Sequence, residues 1–149
     1  MIVPDINLLL YAYNPGATRH AAARRWWERL LEGSSRVGIP WVVILGFVRL
    51  STTRGVLVPP ATVAQAMERV ASWLTQPGVF VLNPGPGHFE VLRRTMACIS
   101  GGPLTTDAHL AALAIEFQAE LHSNDADFSR FPELRWRNPL EVSSGSSES

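Results

Sequence analysis

The stretch A-E-L-H-S-N-D-A-D-F-S-R-F, residues 119–131, decides how this chain is read. Ala119 to His122 has the length of a short buried strand, and Ser123-Asn124 stops it. Two carboxylates, Asp125 and Asp127, then follow within three residues. A turn facing solvent explains one of them: Asp125 can form an Asx-turn, and Asp127 can cap a turn into Phe128. Two acids at the end of a core strand ask what else the fold brings to that edge.

Outward from this stretch the chain alternates strands and helices. Ile2-Val3 reads as a buried strand ending at Asp5. A helix over Asn7 to Tyr13 is stopped by Asn14-Pro15-Gly16. Thr18 is expected to cap a second helix, His20 to Glu32. Val37 to Ile39 is a strand, and Pro40 suits the first position of a helix running to about Thr53. That helix is apolar almost all round, so it should be buried or packed in a dimer. A fourth helix, about Ala61 to Leu74, carries Val63, Met67, Val70 and Leu74 on one face. Val79 to Leu82 is a strand, and His88 to Ile99 a helix. A sixth helix, Thr106 to Gln118, has Leu110, Leu113, Ala114 and Phe117 at helical spacing. A last strand is expected near Leu134 to Trp136. The pattern is α/β, with a mostly parallel central sheet flanked by helices. Ligands of such sheets bind beyond the C-terminal strand ends, where the strand order switches.

Composition narrows the class. The 149 residues, 46% apolar and 17% charged, suit one globular domain, expected over residues 1–142. The Ser-rich stretch 143–149 reads as a disordered tail. There is no uncharged run of 18 apolar residues, so no membrane span is expected. The N-terminus lacks the basic region of a signal peptide. The single cysteine, Cys98, excludes an intrachain disulfide framework. A cytoplasmic protein follows. All thirteen basic residues are arginine, ten of them before residue 101 against five acids. The absence of lysine excludes P-loop NTPases and Schiff-base enzymes.

Asp107 lies in the first turn of the sixth helix, on the same face as Leu110, Ala111 and Ala114. Asp5 ends the first strand. If the first and fourth strands are neighbours, Asp5, Asp107, Asp125 and Asp127 meet at one edge. Each also has a structural reading. Asp107 suits the helix N-terminus, and Asp5 can cap the first helix. Together they are harder to explain so. Two carboxylates about 4 Å apart repel by about 4 kcal/mol at an effective dielectric near 20. A cluster therefore takes up protons or binds a cation, and carboxylate oxygens favour hard ions such as Mg²⁺ or Mn²⁺.

At this point the chain resembles the PIN-domain ribonucleases, and among them the VapC toxins of toxin–antitoxin pairs. The resemblance rests on V-P-D-I-N-L-L-L (3–10), I-P-W-V-V-I-L-G-F-V-R-L-S-T (39–52), L-T-T-D-A-H-L-A-A-L-A (104–114), S-N-D-A-D-F-S-R-F-P (123–132) and L-R-W-R-N-P-L (134–140). It implies a PIN-like fold, Mg²⁺-dependent (or Mn²⁺-dependent) cleavage of RNA, a cognate VapB-type antitoxin and a homodimer. It also implies that Asp5, Asp107 and Asp125 bind the metal, with Asp127 as a fourth catalytic acid. One departure stands out. Where most PIN domains carry a glutamate, this chain has Gly46, which leaves room for another backbone to pack closely or for RNA.

Further candidates are less specific. Asn7 can orient a carboxylate or phosphate, or cap a helix. Thr106 and Ser123 can hydrogen-bond behind the ligands, though Thr106 can equally cap its helix. Arg49 can touch a phosphate or pair with one of the acids. His109 points away from Asp107 and is expected at the surface. Arg24, Arg25 and Arg29 read as solvated, and Trp26, Trp27, Trp41 and Trp73 as core or interface.

Two other functions share part of this pattern. A degenerate PIN domain would bind RNA or antitoxin without cutting, and Gly46 favours it. A haloacid-dehalogenase-type phosphatase needs a second aspartate at position 7 and a lysine; this chain has neither.

Overall fold

The computed structural model describes residues 1–141. The expected tail, 143–149, lies outside the described residues. Five short strands form one parallel sheet: β1 (Ile2–Pro4), β2 (Val37–Pro40), β3 (Val79–Leu82), β4 (Glu120–His122) and β5 (Arg135–Arg137). Their order is β3-β2-β1-β4-β5. The chain builds outward from β1 through β2 to β3, then returns to place β4 and β5 on the other side. The order therefore switches between β1 and β4, which pair with Pro4 opposite His122. Asp5 and Ser123 leave the sheet side by side, and the Asp5 amide donates to the His122 carbonyl at 2.9 Å.

Six helices cover the sheet: α1 (Ile6–Ala12), α2 (His20–Glu32), α3 (Trp41–Ser51), α4 (Val63–Leu74), α5 (His88–Met96) and α6 (Thr105–Glu116). The first helix packs on α2 and α3, α3 on α4, and α5 on α6. Aromatic packing joins the first group. The Trp73 ring is fully buried, with centroids 4.7 Å from Phe47 and 5.4 Å from Trp27. Edge-to-face pairs of this kind add about 0.5–1.5 kcal/mol each beyond the area they bury.

Several expectations shift. Pro40 is the last residue of β2, paired with Leu82, and its extended backbone (ψ 153°) makes it the N-cap of α3 rather than its first residue. Thr18 does not cap α2; Arg19 holds that position without a side-chain bond. The capping box lies at α4, where Thr62 and Gln65 bond reciprocally. On α4 the buried stripe is Ala66, Val70 and Trp73, while Val63, Met67 and Leu74 face outward. Helix α3 is buried along Val43, Ile44, Gly46 and Phe47, but Trp41 is 53% exposed and Leu45 64%. Trp26, Trp27 and Trp73 are core residues and Trp41 is not.

Gly46 has a local explanation. A Cβ built there would overlap the Ile6 Cδ1 methyl and lie 3.2 Å from Ile6 Cγ1. The close approach is to a side chain, that of the residue after Asp5, and not to another backbone.

Candidate metal centre

Four acids converge beyond the C-terminal ends of β1 and β4. Asp5 is buried and is the N-cap of α1. Its Oδ1 accepts from the Ile6 amide at 2.7 Å, and its Oδ2 accepts from the Ser123 hydroxyl at 2.7 Å. Ser123 is fully buried, and its Oγ also accepts from the Asp125 amide at 3.0 Å. One serine thus ties the carboxylate after β1 to the backbone after β4. Asp125 opens a short 3₁₀ turn, Ala126–Arg130, and its Oδ1 accepts from the Asp127 amide at 2.9 Å. The structural readings of Asp5, Asp107 and Asp125 are therefore met, whereas the Asp127 side chain accepts from Arg130 rather than capping a turn, and the cluster forms regardless.

Asp107, Asp125 and Asp127 each bring one carboxylate oxygen into a group lying within 4.8 Å of one another. Asp5 stands outside that group, behind it. Its charge still reaches Asp107. The Asp107 carboxyl is pushed up to about 6, first by burial and then by Asp5, Asp125 and Asp127, with Arg130 opposing. Asp5 is also raised, chiefly by burial and against the hydrogen bonds from Ser123 and Ile6. Hard oxygen donors in a like-charged group, with one arginine nearby, suit a divalent cation of the Mg²⁺ class.

The remaining candidates separate. The Asn7 Oδ1 sits 3.5 Å from the Asn124 amide, so Asn7 joins the loop after β4 at the limit of a hydrogen bond. Thr106 is exposed, and its side chain makes no hydrogen bond among the described residues. Arg49 is exposed on α3 and pairs with none of the acids. His109 is not a surface residue. It is half-buried, with its Nδ1 3.0 Å from His88 Nε2, while His88 Nδ1 lies 3.0 Å from Glu116 Oε1. Burial and His88 lower the pKa of His109. Arg24, Arg25 and Arg29 are exposed as expected, and Arg24 pairs with Glu28 at 3.4 Å.

Two further groups at the site are only weakly marked in the sequence. Arg130 donates from Nε to the Asp127 carbonyl at 3.0 Å and from Nη2 to Asp127 Oδ1 at 3.3 Å. Its position three residues after Asp127 was the available signal. Asn138 donates to Asn124 Oδ1 at 3.0 Å and fastens the R-W-R-N-P-L segment to the same loop. Nothing in the local sequence marks that contact, which spans 14 residues.

Residues 2–134 match the PIN domain. Ribonuclease VapC33 of Mycobacterium tuberculosis is 43% identical over 141 residues, covering 94% of this chain and 99% of the relative. Ribonuclease VapC37 of the same species is 41% identical over 140 residues, covering 93% and 97%. Among solved structures, VapBC2 from Rickettsia felis bound to a promoter DNA fragment superimposes with a TM-score of 0.67 at 18% identity, covering 93% of this chain and 98% of that one. The sarcin–ricin-loop-cleaving toxin VapC20 of M. tuberculosis gives 0.66 at 20% identity, covering 91% and 99%. At these identities the structural likeness is one of fold.

Proposed function

Because the chain belongs to the PIN-domain family, and within it to the VapC ribonucleases, we propose that it is a metal-dependent endoribonuclease and the toxin of a VapBC-type pair. The observation that carries the chemistry is the group of Asp107, Asp125 and Asp127 at the switch between β1 and β4, with Asp5 behind it. A Mg²⁺ or Mn²⁺ ion held there would stabilise charge on the scissile phosphate and activate water. Asp107, Asp125 and Asp127 are the direct ligands in this reading. Asp5, both of whose oxygens already accept protein hydrogen bonds, orients the site and deepens its negative potential.

Ser123 fixes Asp5 relative to Asp125, and Arg130 fixes Asp127. Arg49, exposed and unpaired among the described residues, is available to an RNA phosphate. Hydrolysis leaves a 5′-phosphate and a 3′-hydroxyl.

A VapB-type antitoxin is the expected inhibitor, and exposed Trp41 and Leu45 on α3 favour a homodimer. No helix among the described residues is long and apolar enough to cross a membrane, which is compatible with a cytoplasmic site of action.

The weakened-domain reading has one observation in its favour: Ile6 fills the space at Gly46 that an acidic side chain would need. Incubating the purified chain, free of antitoxin, with total RNA and Mg²⁺ or Mn²⁺ decides between them. Cleavage that is abolished by chelation and by Asp107→Asn is expected. RNA binding without cleavage in either metal would leave the binding-module reading standing and remove this one.

A further inference from the structure

The acidic site occupies the N-terminal end of α1. A cavity of about 400 Å³ lies at the other end, roughly 10 Å away along a seven-residue helix. Its walls include Ala12, Tyr13, Pro15, Trp27, Leu31 and Arg69. The volume falls within the range of small-molecule sites, and an apolar wall with a few polar groups is their usual character.

Two of those polar groups lack partners. Trp27 is 3% exposed, and its indole Nε1–H has no acceptor among the described residues. The other buried or half-buried indoles are all bonded: Trp26 to His122, Trp73 to the Tyr13 hydroxyl, and Trp136 to the Ser123 carbonyl. The Arg69 Nη1 is likewise buried without an acceptor. Arg69 forms no ion pair among the described residues, and its guanidinium lies over the Tyr13 ring at 5.0 Å. An unpartnered buried donor is costly, and a half-buried cation without a counter-charge more so. Both residues line one cavity, and an anionic acceptor that reached the two nitrogens would complete them.

The other charges at the cavity limit what that anion is. Arg24 is paired with Glu28, so the rim pair is neutral, and Glu28 disfavours a doubly charged group. The His20 Nδ1 is committed to the Tyr11 carbonyl at 2.9 Å. One cation is left over, and the surrounding wall is apolar. We propose that this cavity binds a monoanionic carboxylate carried on an apolar stem, with Arg69 as counter-charge and Trp27 Nε1–H as the second donor. Both nitrogens are covered, so binding requires the Arg69 and Trp27 side chains to shift until the carboxylate can reach them. The site is separate from the acidic cluster and does not depend on the nuclease reading.

Titration of the full-length, ¹⁵N-labelled chain tests this, with the Trp27 indole N–H as reporter. The probes are 4-methylpentanoate, its neutral amide, and a leucine-terminated tetrapeptide in free-acid and amidated forms. Saturable movement of the Trp27 resonance is expected with a free acid, at least about tenfold tighter than with its matched amide. Tighter binding of 4-methylpentanoate assigns a small free acid, and tighter binding of the tetrapeptide assigns a protein C-terminus. Arg69→Gln should weaken the acid about tenfold without changing RNA cleavage, and Arg69→Lys should restore part of the acid-over-amide preference. Equal binding of acid and amide by the wild type, or no saturable movement at millimolar acid, would overturn the proposal whatever the variants do. So would undiminished binding in folded Arg69→Gln.

Discussion

Replacing Asp107 by asparagine removes a charge that the folded protein holds at a cost. The Asp107 carboxyl titrates near 3.8 in an unfolded chain and at about 6 in the fold. The folded state therefore binds the proton more tightly. Its contribution to stability is complete below the unfolded value and is lost as pH rises through about 6. The shift corresponds to about 3 kcal/mol in full, and solvent screening at this half-exposed position reduces that to about 1.5 kcal/mol. Asp107→Asn should therefore be more stable than the wild type by about that amount near pH 8 without metal, and about equal to it near pH 4. Urea denaturation at the two pH values, in the presence of a chelator, measures the difference. Added Mg²⁺ should raise the melting temperature of the wild type and leave the variant almost unmoved, because binding to the folded state alone stabilises it. If the variant keeps the wild-type pH slope, or if Mg²⁺ stabilises both equally, Asp107 is not the strained member of a metal-binding cluster.

Other consequences can be checked separately. Gly46→Ala should destabilise by about 1 kcal/mol, because overpacking against Ile6 at about 1–3 kcal/mol exceeds the helix-propensity gain of about 1 kcal/mol. Ile6→Val deletes the overlapping methyl, so a double-mutant cycle in urea should show favourable coupling of about 1 kcal/mol; additivity would count against the contact. Ser123→Ala leaves a buried carboxylate oxygen and the Asp125 amide without partners, and should cost about 2–3 kcal/mol by chemical denaturation. A loss below about 0.5 kcal/mol would show that the hydroxyl does not hold the two segments together. Light scattering should find a dimer at micromolar concentration that Leu45→Glu converts to monomer, and a monomeric wild type would remove α3 as the interface.

The sequence was most legible where short-range rules and the strand order agreed. Asp5 and Asp125 each follow a strand, so a parallel sheet carries both to one end once β1 and β4 are neighbours, and the pairing of Pro4 with His122 makes them so. Asp107 was readable from its place in the first turn of an apolar helix. What escaped were side-chain partnerships that periodicity cannot encode. The outer face of α4 was read with its core face because Val63, Met67 and Leu74 are as apolar as Val70; Trp73, which fixes the rotation of that helix, belongs to a cluster assembled from α1, α2 and α3. His109 was placed at the surface because its partner, His88, sits on a different helix, held in turn by Glu116 at the far end of α6. Gly46 drew attention for the acid it lacks, whereas its neighbour Ile6 is a contact between two helices far apart in sequence.

The four acids are not equivalent, and the hydrogen bonds rank them. Asp5 accepts from Ile6 and Ser123, Asp125 from the Asp127 amide, and Asp127 from Arg130. Asp107 alone accepts no hydrogen bond among the described residues, and it faces the other three charges. Hydrogen bonds hold those three carboxylates in place, whereas Asp107 is raised by burial and by the charges it faces. The positions of Asp5, Asp125 and Asp127 are thus secured by the fold, and the repulsion they create falls on Asp107. A dication bound there, as proposed, would relieve that repulsion, which Arg130 only partly offsets. On the proposed reading Asp107 links metal affinity to pH: as its carboxyl ionises through about pH 6, the site gains charge that would favour a divalent ion. Metal binding should therefore strengthen as pH rises through that value, and the accompanying proton release should disappear in Asp107→Asn.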